Sequence, residues 1–337
     1  MIPAISPPID HTWLPCADLA TQRRRAQLYA DLREFFAERA VLEVETPLLS
    51  RAATTDPALA SLMTQCHLPG QSNNELANYW LHTSPEFPMK RLLAAGSGAI
   101  YQVCKVFRDH ERGARHHPEF TLLEWYRPDW TLAHLMDEMV ELLRTLWQRP
   151  DLPTKRYSYR ALFQQFLGID PWHLKIETLP HHAIAHGIGG AETLELTPDG
   201  WLDLLFTHCI EPHLGQMGCL TFVCDYPPSQ AALARLNKDG DITTARRFEL
   251  YQYGMELANG FEELTDANEQ QQRFQNDLQT RAEQNQLIVP MDTALLQALA
   301  DGLPNTAGVA LGIDRLLMLI TGKTTIDEVL AFPIERA

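Results

Sequence analysis

Apolar side chains recur every three or four residues in several parts of the chain, as they do in helices that bury one face. The clearest example lies between residues 132 and 147, where Leu and Met positions form one continuous stripe. Such a stripe predicts packing against a core, and we assign it no other role. The predicted helices cover residues 22–38, 88–93, 132–147, 266–284, 292–300 and 314–320.

Short apolar runs that end at proline or glycine predict strands. Two such runs, 100–106 and 120–126, enclose a polar loop rich in arginine and histidine, so we predict a hairpin whose loop closes over a ligand. Arginine and histidine donors suit phosphate oxygens, although a solvated basic loop has the same composition. The other predicted strands cover residues 41–45, 80–83, 221–226, 247–253 and 256–259, and residues 48–78 are predicted to be mostly loop.

The composition is typical of a soluble globular protein. The chain has 337 residues, of which 45% are hydrophobic and 21% charged. We predict one domain over residues 1–337, with a mainly helical insertion at about 157–218. No signal peptide is visible, and the longest apolar run, 316–320, is too short for a membrane span. The six cysteines include no CxxC pair, which indicates a reduced, cytoplasmic protein rather than a disulfide framework or a zinc site.

The formal net charge of the chain is −15. Proteins that grip nucleic acid need a cationic face that displaces counterions from the phosphates. The acidic balance therefore makes tRNA an unexpected partner, and a small cationic substrate fits it better.

Three separate segments together resemble one enzyme family. The string VFRDHERGARHHPEFTLLEWY at 106–126 resembles motif 2 of the class II aminoacyl-tRNA synthetases, with the lysyl enzymes as the nearest match. GVALGIDR at 308–315 resembles motif 3, and ELANGFEELTD at 256–266 resembles the strand of the lysyl enzymes that binds metal and substrate. The resemblance implies an α+β fold, a class II synthetase-like catalytic domain with an antiparallel sheet flanked by helices. Residues 22–47 resemble motif 1, so a homodimer is implied as well.

The resemblance also implies an ATP site. Arg108 would lie against the α-phosphate, and Phe120 and Arg315 would hold the adenine between an aromatic face and a guanidinium plane. Arg108 and Arg315 are the predicted catalytic residues. Glu249 and Glu256, seven residues apart, match the family's magnesium ligands. The predicted ATP-binding residues are Arg108, Asp109, His110, His116, His117, Phe120, Glu256, Leu257, Gly312 and Arg315.

Motif 2 departs from the family pattern at one point. The family has Phe-Arg-x-Glu, whereas here Arg108 is followed by Asp109 and His110, and Glu111 comes one position late. The family's Glu helps to recognise adenine, so either His110 supplies a donor and an acceptor instead or Glu111 moves into its place. His117 likewise stands where the family usually has Asn.

The amino-acid end of the implied site is acidic. Glu86, Glu124 and Glu263 match positions that bind lysine in the family, and carboxylates close together raise one another's pKa unless cations balance them. A diamine supplies two such cations. The implied substrate-binding residues are Ser84, Pro85, Glu86, Glu124, Tyr126, Asn259, Glu263 and Ala310.

The group that receives the activated amino acid is a separate question. Motif 1 begins near residue 22, which leaves no room before it for the anticodon-binding barrel of a lysyl-tRNA synthetase. Together with Ala310, where lysyl synthetases have Gly, this pattern resembles the elongation factor P–(R)-β-lysine ligase family. The resemblance implies ATP-dependent activation of (R)-β-lysine as an aminoacyl-adenylate and its transfer to a lysine side chain of elongation factor P.

Two alternatives stay open at this point. One is a stand-alone ligase that activates α-lysine and acts on tRNA or on a small-molecule amine. The other is a regulatory subunit that binds an amino acid without catalysis, although the presence of Arg108, Glu249, Glu256 and Arg315 favours an enzyme.

Overall fold

Strands from both halves of the chain meet in one large sheet. The computed structural model describes residues 13–67 and 76–337. Residues 1–12 and 68–75, and with them part of the predicted loop 48–78, lie outside the described residues. The described strands are β1 (Leu42–Glu43), β2 (Leu49–Ser50), β3 (Met63–His67), β4 (Leu76–Leu81), β5 (Ile100–Phe107), β6 (Glu119–Pro128), β7 (Thr154–Ser158), β8 (Leu220–Tyr226), β9 (Leu236–Asp239), β10 (Ile242–Gln252), β11 (Met255–Glu262) and β12 (Thr306–Gly312). The described α-helices are α1 (Leu19–Glu38), α2 (Glu86–Ala94), α3 (Leu132–Trp147), α4 (Tyr159–Leu167), α5 (Leu179–Ala185), α6 (Pro198–Leu205), α7 (Ala267–Glu283), α8 (Thr293–Gly302) and α9 (Ile313–Thr321).

Nine of the described strands form the large sheet, in the order β1-β5-β6-β12-β11-β10-β8-β7, with β9 paired to β10 beside this row. Neighbouring strands from β5 through to β8 are antiparallel, whereas the outer pairs β1–β5 and β7–β8 are parallel. The predicted α+β fold, an antiparallel sheet flanked by helices, is confirmed. The strands β2, β4 and β3 form a separate small sheet in that order.

Helices α1, α3 and α9 bury their apolar faces in one core with the large sheet. Leu32 of α1, Leu142 of α3 and Leu317 of α9 are fully buried in the same cluster as side chains of β6, β10 and β12. The predicted helices 22–38 and 132–147 form as α1 and α3, and α3 has the predicted bounds. Burial of these apolar stripes is the main force that holds the helices on the sheet.

A buried carboxylate connects the three segments that resemble the synthetase motifs. Asp314, at the start of α9, accepts a hydrogen bond from Arg25 of α1 at 2.6 Å and another from the backbone N–H of Thr121 of β6 at 2.7 Å. Asp314 is only 1% exposed, so loss of either partner would leave a buried charge poorly compensated. These contacts fix α1, β6 and α9 relative to one another.

The predicted helical insertion follows β7. It contains α4, α5, α6 and a π-helical turn at Phe206–Ile210, and its apolar side chains form a second core against β8 and β10. The predicted start at residue 157 needs correction. Tyr157 and Ser158 belong to β7 and pair with β8 in the large sheet, so the helical part begins at Tyr159.

The prediction for residues 48–78 was wrong in part. This segment contains β2, β3 and the start of β4, which form the small sheet, and β9 was not predicted either. In β3 the exposed and half-exposed positions alternate and none is buried, so the strand offers little apolar signal to read from sequence.

All six cysteines are free thiols in the structure. No helix within residues 13–67 and 76–337 combines the length and the apolar character that crossing a bilayer requires.

Candidate active site

A cleft of about 1620 Å³ is bordered by β6, β10, β11 and β12, by the start of α2, by the loop of the β5–β6 hairpin and by part of the insertion. Most of the predicted site residues border it, although they come from distant parts of the chain. Those that line the cleft are Ser84, Glu86, Arg108, His116, His117, Phe120, Glu124, Tyr126, Glu249, Glu256, Leu257, Asn259, Glu263, Ala310, Gly312 and Arg315. The structure therefore joins the two implied ends of the site in one cavity.

Strand register explains how the floor of the cleft forms. In the large sheet Ala310 of β12 lies directly between Glu124 of β6 and Asn259 of β11. Residues directly opposite on neighbouring strands project from the same face of a sheet. Ala310 therefore shares the cleft face with a carboxylate on one side and an amide on the other.

Gly308 makes room for the acidic end of the cleft. It lies two residues before Ala310 on β12, hence on the same face, and opposite Tyr126 of β6. A methyl group at Gly308 would lie 2.3 Å from the Tyr126 ring and 2.7 Å from Oε1 of Glu263. Any residue other than glycine at this position would therefore displace Tyr126 or Glu263.

Glu124 is buried at this end, and both of its oxygens accept hydrogen bonds. Ser84 donates to Oε2 at 2.7 Å and the Tyr126 hydroxyl donates to Oε1 at 2.5 Å. Burial raises the pKa of Glu124 to about 7, and the charge of Glu86 adds to the rise. The backbone N–H of Glu86 in turn donates to Ser84 at 3.0 Å, so Ser84 links the carboxylate of Glu124 to the backbone at the start of α2. Pro85 is the N-cap residue of α2 and shapes this turn rather than lining the cleft.

Lys90 was not predicted as a site residue. It lies one turn after Glu86 on α2, is 1% exposed, and contacts Oε1 of Glu86 at 2.6 Å and Oε2 of Glu263 at 2.5 Å. Burial alone lowers the pKa of Lys90, but the charges of Glu263 and Glu86 outweigh it and leave the pKa raised. Burial raises the pKa of Glu263 to about 8 even though Lys90 opposes the rise. Lysine is almost never buried unless it is paired, so a lysine in a sequence is normally expected at the surface. The only feature of the sequence that could have indicated this buried pair is the i, i+4 spacing between Glu86 and Lys90.

The other end of the cleft is lined by three arginines, Arg108, Arg115 and Arg315. Arg315 donates to the carbonyl of Glu256 at 2.8 Å and to Nε2 of His116 at 2.8 Å. Partial burial and the charge of Arg315 lower the pKa of His116, and Arg108 and Arg115 add to the effect. Because a guanidinium has donors only, Nε2 of His116 accepts the bond from Arg315. This concentration of positive charge suits the phosphates of a nucleotide.

Phe120 provides an aromatic face beside these arginines. The guanidinium carbon of Arg108 lies 5.1 Å from the centroid of the Phe120 ring, and Arg108 also pairs with Glu111 at 3.6 Å. Arg115, which was not predicted, donates to the carbonyl of Gly254 at 2.6 Å. The sequence could have identified Arg115 as a site residue, because it lies within the string 106–126 that resembles motif 2.

Two of the residues predicted to contact ATP lie outside the lining of the cleft. Neither Asp109 nor His110 lines the cleft, whereas Glu111 does. The side chain of His110 is 86% exposed, and its backbone is left-handed with a φ of 64°. Of the two options for adenine recognition, the structure thus favours Glu111 over His110.

His117 and Gly312 line the cleft, but nothing in their contacts requires the role in ATP binding that was predicted for them. The His117 ring nitrogens bond to the carbonyl of Glu119 at 2.5 Å and to the N–H of Ile334 at 2.8 Å, so neither is free for a phosphate. A methyl group at Gly312 would meet the carbonyl of Leu257 at 3.7 Å, an ordinary contact. A need for glycine there can come only from a bound nucleotide, and it stays a prediction.

Glu249 and Glu256 were predicted as magnesium ligands, and both line the cleft. Glu249 accepts hydrogen bonds from Tyr226, Tyr251 and Arg247, which hold it in place. Desolvation and the charge of Glu249 raise the pKa of Glu256, although the charges of Arg315, Arg247 and Arg108 oppose the rise. Hard carboxylate oxygens of this kind suit Mg²⁺.

Glu211 of the insertion also borders the cleft, and it was not predicted. Burial raises the pKa of Glu211 to about 7, and the charges of Glu256 and Glu249 add to the rise. Within residues 13–67 and 76–337, no three Asp, Glu, His or Cys side chains come together at metal-ligand spacing. The donors therefore fit an ion that shares one or two carboxylates with phosphate oxygens, which is the usual way that Mg²⁺ is held.

Comparison with known proteins decides the family. A family model described as class II tRNA synthetases (D, K and N) matches residues 19–336. The chain belongs to the class II tRNA synthetase family. A Salmonella dublin protein named elongation factor P–(R)-β-lysine ligase is 46% identical over 326 residues, 97% of this chain and 98% of the relative. Proteins of the same name from Pseudoalteromonas translucida and Salmonella paratyphi B are 48% and 45% identical, over 96% and 97% of this chain and 98% of each relative.

As a class II synthetase domain, the chain has its motifs arranged around one cleft. The β5–β6 hairpin carries the string that resembles motif 2, and β12 with α9 carries the string that resembles motif 3. The bond from Arg315 to His116 joins them across the nucleotide end. The dimer role implied for residues 22–47 stays a prediction.

Proposed function

We propose that this chain uses ATP to activate (R)-β-lysine as an aminoacyl-adenylate and transfers the β-lysyl group to a lysine side chain of elongation factor P. One observation carries the proposal: a single cleft with Glu86, Glu124 and Glu263 at one end and arginines at the other. The curated relatives named for this reaction support the choice of substrate and acceptor.

The acidic end is the proposed amino-acid site. A diamino acid carries two ammonium groups, and Glu86, Glu124 and Glu263 offer carboxylates to receive them. With both ammonium groups held there, the substrate carboxylate is directed toward the arginine end. Ala310, between Glu124 and Asn259, occupies the floor where an amino group on the α or the β carbon would differ in position.

The arginine end is the proposed site of adenylate formation. A carboxylate oxygen of the substrate attacks the α-phosphorus of ATP and forms a new P–O bond, while the bond to the bridging oxygen breaks and pyrophosphate leaves. Arg108 and Arg315 stabilise the charge on the phosphoryl oxygens, and Phe120 receives the adenine. When bound at Glu249 and Glu256, Mg²⁺ supplies further positive charge to the phosphates.

The second step transfers the acyl group. The ε-amine of the acceptor lysine attacks the carbonyl carbon of the adenylate, forming an amide C–N bond. The C–O bond to AMP breaks, and the amine loses a proton. The net charge of −15 supports a protein acceptor over tRNA, because a nucleic-acid acceptor would be repelled outside any local basic patch.

We also propose that the chain forms a homodimer through residues 22–47. Strand β1 lies at the edge of the large sheet, and its Leu42 side chain is 56% exposed. Leu19 at the start of α1 is exposed as well. An edge strand with exposed apolar side chains favours burial against a second copy. Sedimentation at micromolar concentration should give twice the chain mass of 38.2 kDa, and a fully active monomer would contradict this.

Pyrophosphate exchange over a panel of lysine isomers tests the activation step. With ATP and Mg²⁺, we expect faster exchange with (R)-β-lysine than with (S)-β-lysine or α-lysine. Glu86→Gln should lower kcat/KM for each diamine, whereas Glu141→Gln, on the exposed surface of α3, should not. Exchange that is absent with every isomer, or fastest with α-lysine, would contradict the proposal.

A further inference from the structure

Lys90 takes no part in the proposed reaction steps, yet it lies directly behind the acidic end. Glu86 and Glu263 line the cleft and Lys90 does not, although its ammonium contacts both carboxylates. Within residues 13–67 and 76–337, no other Lys, Arg or His side chain lies within 4.0 Å of the carboxylates of Glu86, Glu124 or Glu263. Lys90 is therefore their resident counter-ion in the described chain.

The charges of this end balance only when a substrate or protons are bound. With all three carboxylates ionised, the one ammonium of Lys90 leaves an excess of two negative charges at this largely buried end, and burial and the neighbouring carboxylates accordingly raise the pKa of Glu124 and Glu263. Buried charges are costly unless they are paired. A diamino acid brings two ammonium groups and matches the excess, whereas an amino acid with a single ammonium group leaves one carboxylate without a partner.

Lys90 also joins two elements of the fold. Glu86 begins α2 and Glu263 directly follows β11, so the lysine ammonium connects a helix with a strand end. Met89 and Leu93, its neighbours on α2, are buried in one cluster with Tyr126. The helix is thus anchored, and the ammonium holds the two carboxylates at a fixed position relative to the cleft floor.

We propose that Lys90 is a positioning and specificity residue, which supplies the resident positive charge beside Glu86 and Glu263, orients both carboxylates and sets the pocket to accept a dicationic amino acid. This inference rests on the proposed function, because it places a diamino acid at the acidic end. It concerns a residue that holds the substrate's partners rather than the substrate itself.

The pH dependence of KM separates this role from a merely structural one. The titratable groups at the acidic end are Glu86, Glu124, Glu263 and Tyr126, which line the cleft, and Lys90 behind them, and burial raises the pKa of Tyr126 so far that it stays neutral. KM for (R)-β-lysine, measured in pyrophosphate exchange between about pH 6 and 9, should fall as the carboxylates ionise. An ammonium this close lowers a carboxyl pKa by roughly 1–3.

The test variants follow from that effect. Lys90→Met keeps the side-chain length and removes the charge, so the inflection of KM should move to higher pH by roughly 1–3. Lys90→Gln is a second neutral variant with the same expectation. Lys90→Arg retains the charge and should return the inflection toward the wild-type pH. Lys105→Met is the matched control, because Lys105 forms an exposed pair with Glu119 at 3.5 Å, and it should leave the inflection unchanged.

An inflection at the wild-type pH in both neutral variants, with KM raised equally at every pH, would overturn the inference. Should neither neutral variant fold, binding to the wild type decides. The mono-ammonium analogue 3-aminohexanoic acid should then bind about 100-fold more weakly than (R)-β-lysine, and equal binding would overturn the inference. A wild type without exchange for any lysine isomer refutes the proposed function and the inference together, whereas normal exchange with an unmoved inflection refutes only the inference.

Discussion

The two ends of the cleft hold their charges in different ways. At the acidic end Glu124 and Glu263 are each 2% exposed, and strand register fixes their surroundings. At the basic end Arg115 and His116 lie exposed on the hairpin loop. Buried carboxylates are sensitive to shape and to pH, whereas arginines keep their charge at any ordinary pH. We infer that the buried acidic end selects the substrate and that the basic end holds the phosphates.

The largest effect should come from the basic end. Arg108→Ala removes a guanidinium that lies over Phe120, and loss of one such donor to a reacting group lowers turnover by about 100–1000-fold. Pyrophosphate exchange measures it. Arg112→Ala is the control on the same loop, since Arg112 pairs with Asp327 and Glu335 and does not line the cleft. Near-normal exchange by Arg108→Ala would show that phosphate chemistry is not carried out at this end.

A somewhat smaller effect is expected for the floor of the acidic end. We propose that the Ala310 methyl occupies space that an α-amino group would need and leaves the β position free, and steric discrimination of this size is about 10–200-fold. We expect Ala310→Gly to raise kcat/KM for α-lysine relative to β-lysine by a factor in that range. Ala307→Gly, which removes a buried methyl from the core face of the same strand, should leave the ratio unchanged. An unchanged ratio in Ala310→Gly would make Ala310 a packing residue only.

Shape is tested next at Gly308. The added methyl in Gly308→Ala must displace Tyr126 or Glu263 at the amino-acid end, and a loss of about 1–3 kcal/mol of binding free energy there would raise KM for the amino acid by roughly 5–150-fold. KM for ATP should change little. Gly189→Ala is the matched control, because its methyl would meet nothing within 4 Å. Equal changes in KM for the amino acid and KM for ATP would contradict the separation of the cleft into an amino-acid end and a nucleotide end.

The smallest effect concerns pH. The pKa values of Glu124 and Glu263 are raised to about 7 and 8, from an ordinary 4.5, chiefly by burial. Their protonation therefore stabilises the empty protein fully below about pH 4.5, and this contribution is lost as the pH rises through 7 and 8. Substrate ammonium groups replace the protons, so the rise in Tm on adding (R)-β-lysine should be a few degrees larger at about pH 8.5 than at about pH 6. Glu124→Gln should reduce that difference, and a pH-independent rise would contradict the assignment.

The fold was predictable wherever burial leaves a local pattern. The stripe of α3 gave its bounds, because a helix that buries one face repeats its apolar residues. Strand β7 was not predicted, and its last two residues were placed in the insertion, because Lys155 and Arg156 interrupt its apolar character and its partner β8 lies far along the chain. A parallel pairing between two distant segments produces no pattern of apolar residues in either segment that identifies its partner.

The site was predictable where residues belong to a motif string. Lys90 and Glu211 acquire their roles only through burial and tertiary neighbours, which no local pattern records. His110 shows the opposite failure. It occupies a motif position in the sequence, yet a left-handed backbone leaves its side chain in solvent while Glu111 borders the cleft.

The central claim is transfer of β-lysine to a protein, and one measurement tests it most directly. Elongation factor P is incubated with this protein, ATP, Mg²⁺ and (R)-β-lysine, and its intact mass is determined, with Arg108→Ala as the inactive control. We predict one lysyl-sized addition, on a single lysine, that requires the wild-type protein. Elongation factor P of unchanged mass, together with efficient charging of tRNA-Lys by the same preparation, would contradict the account.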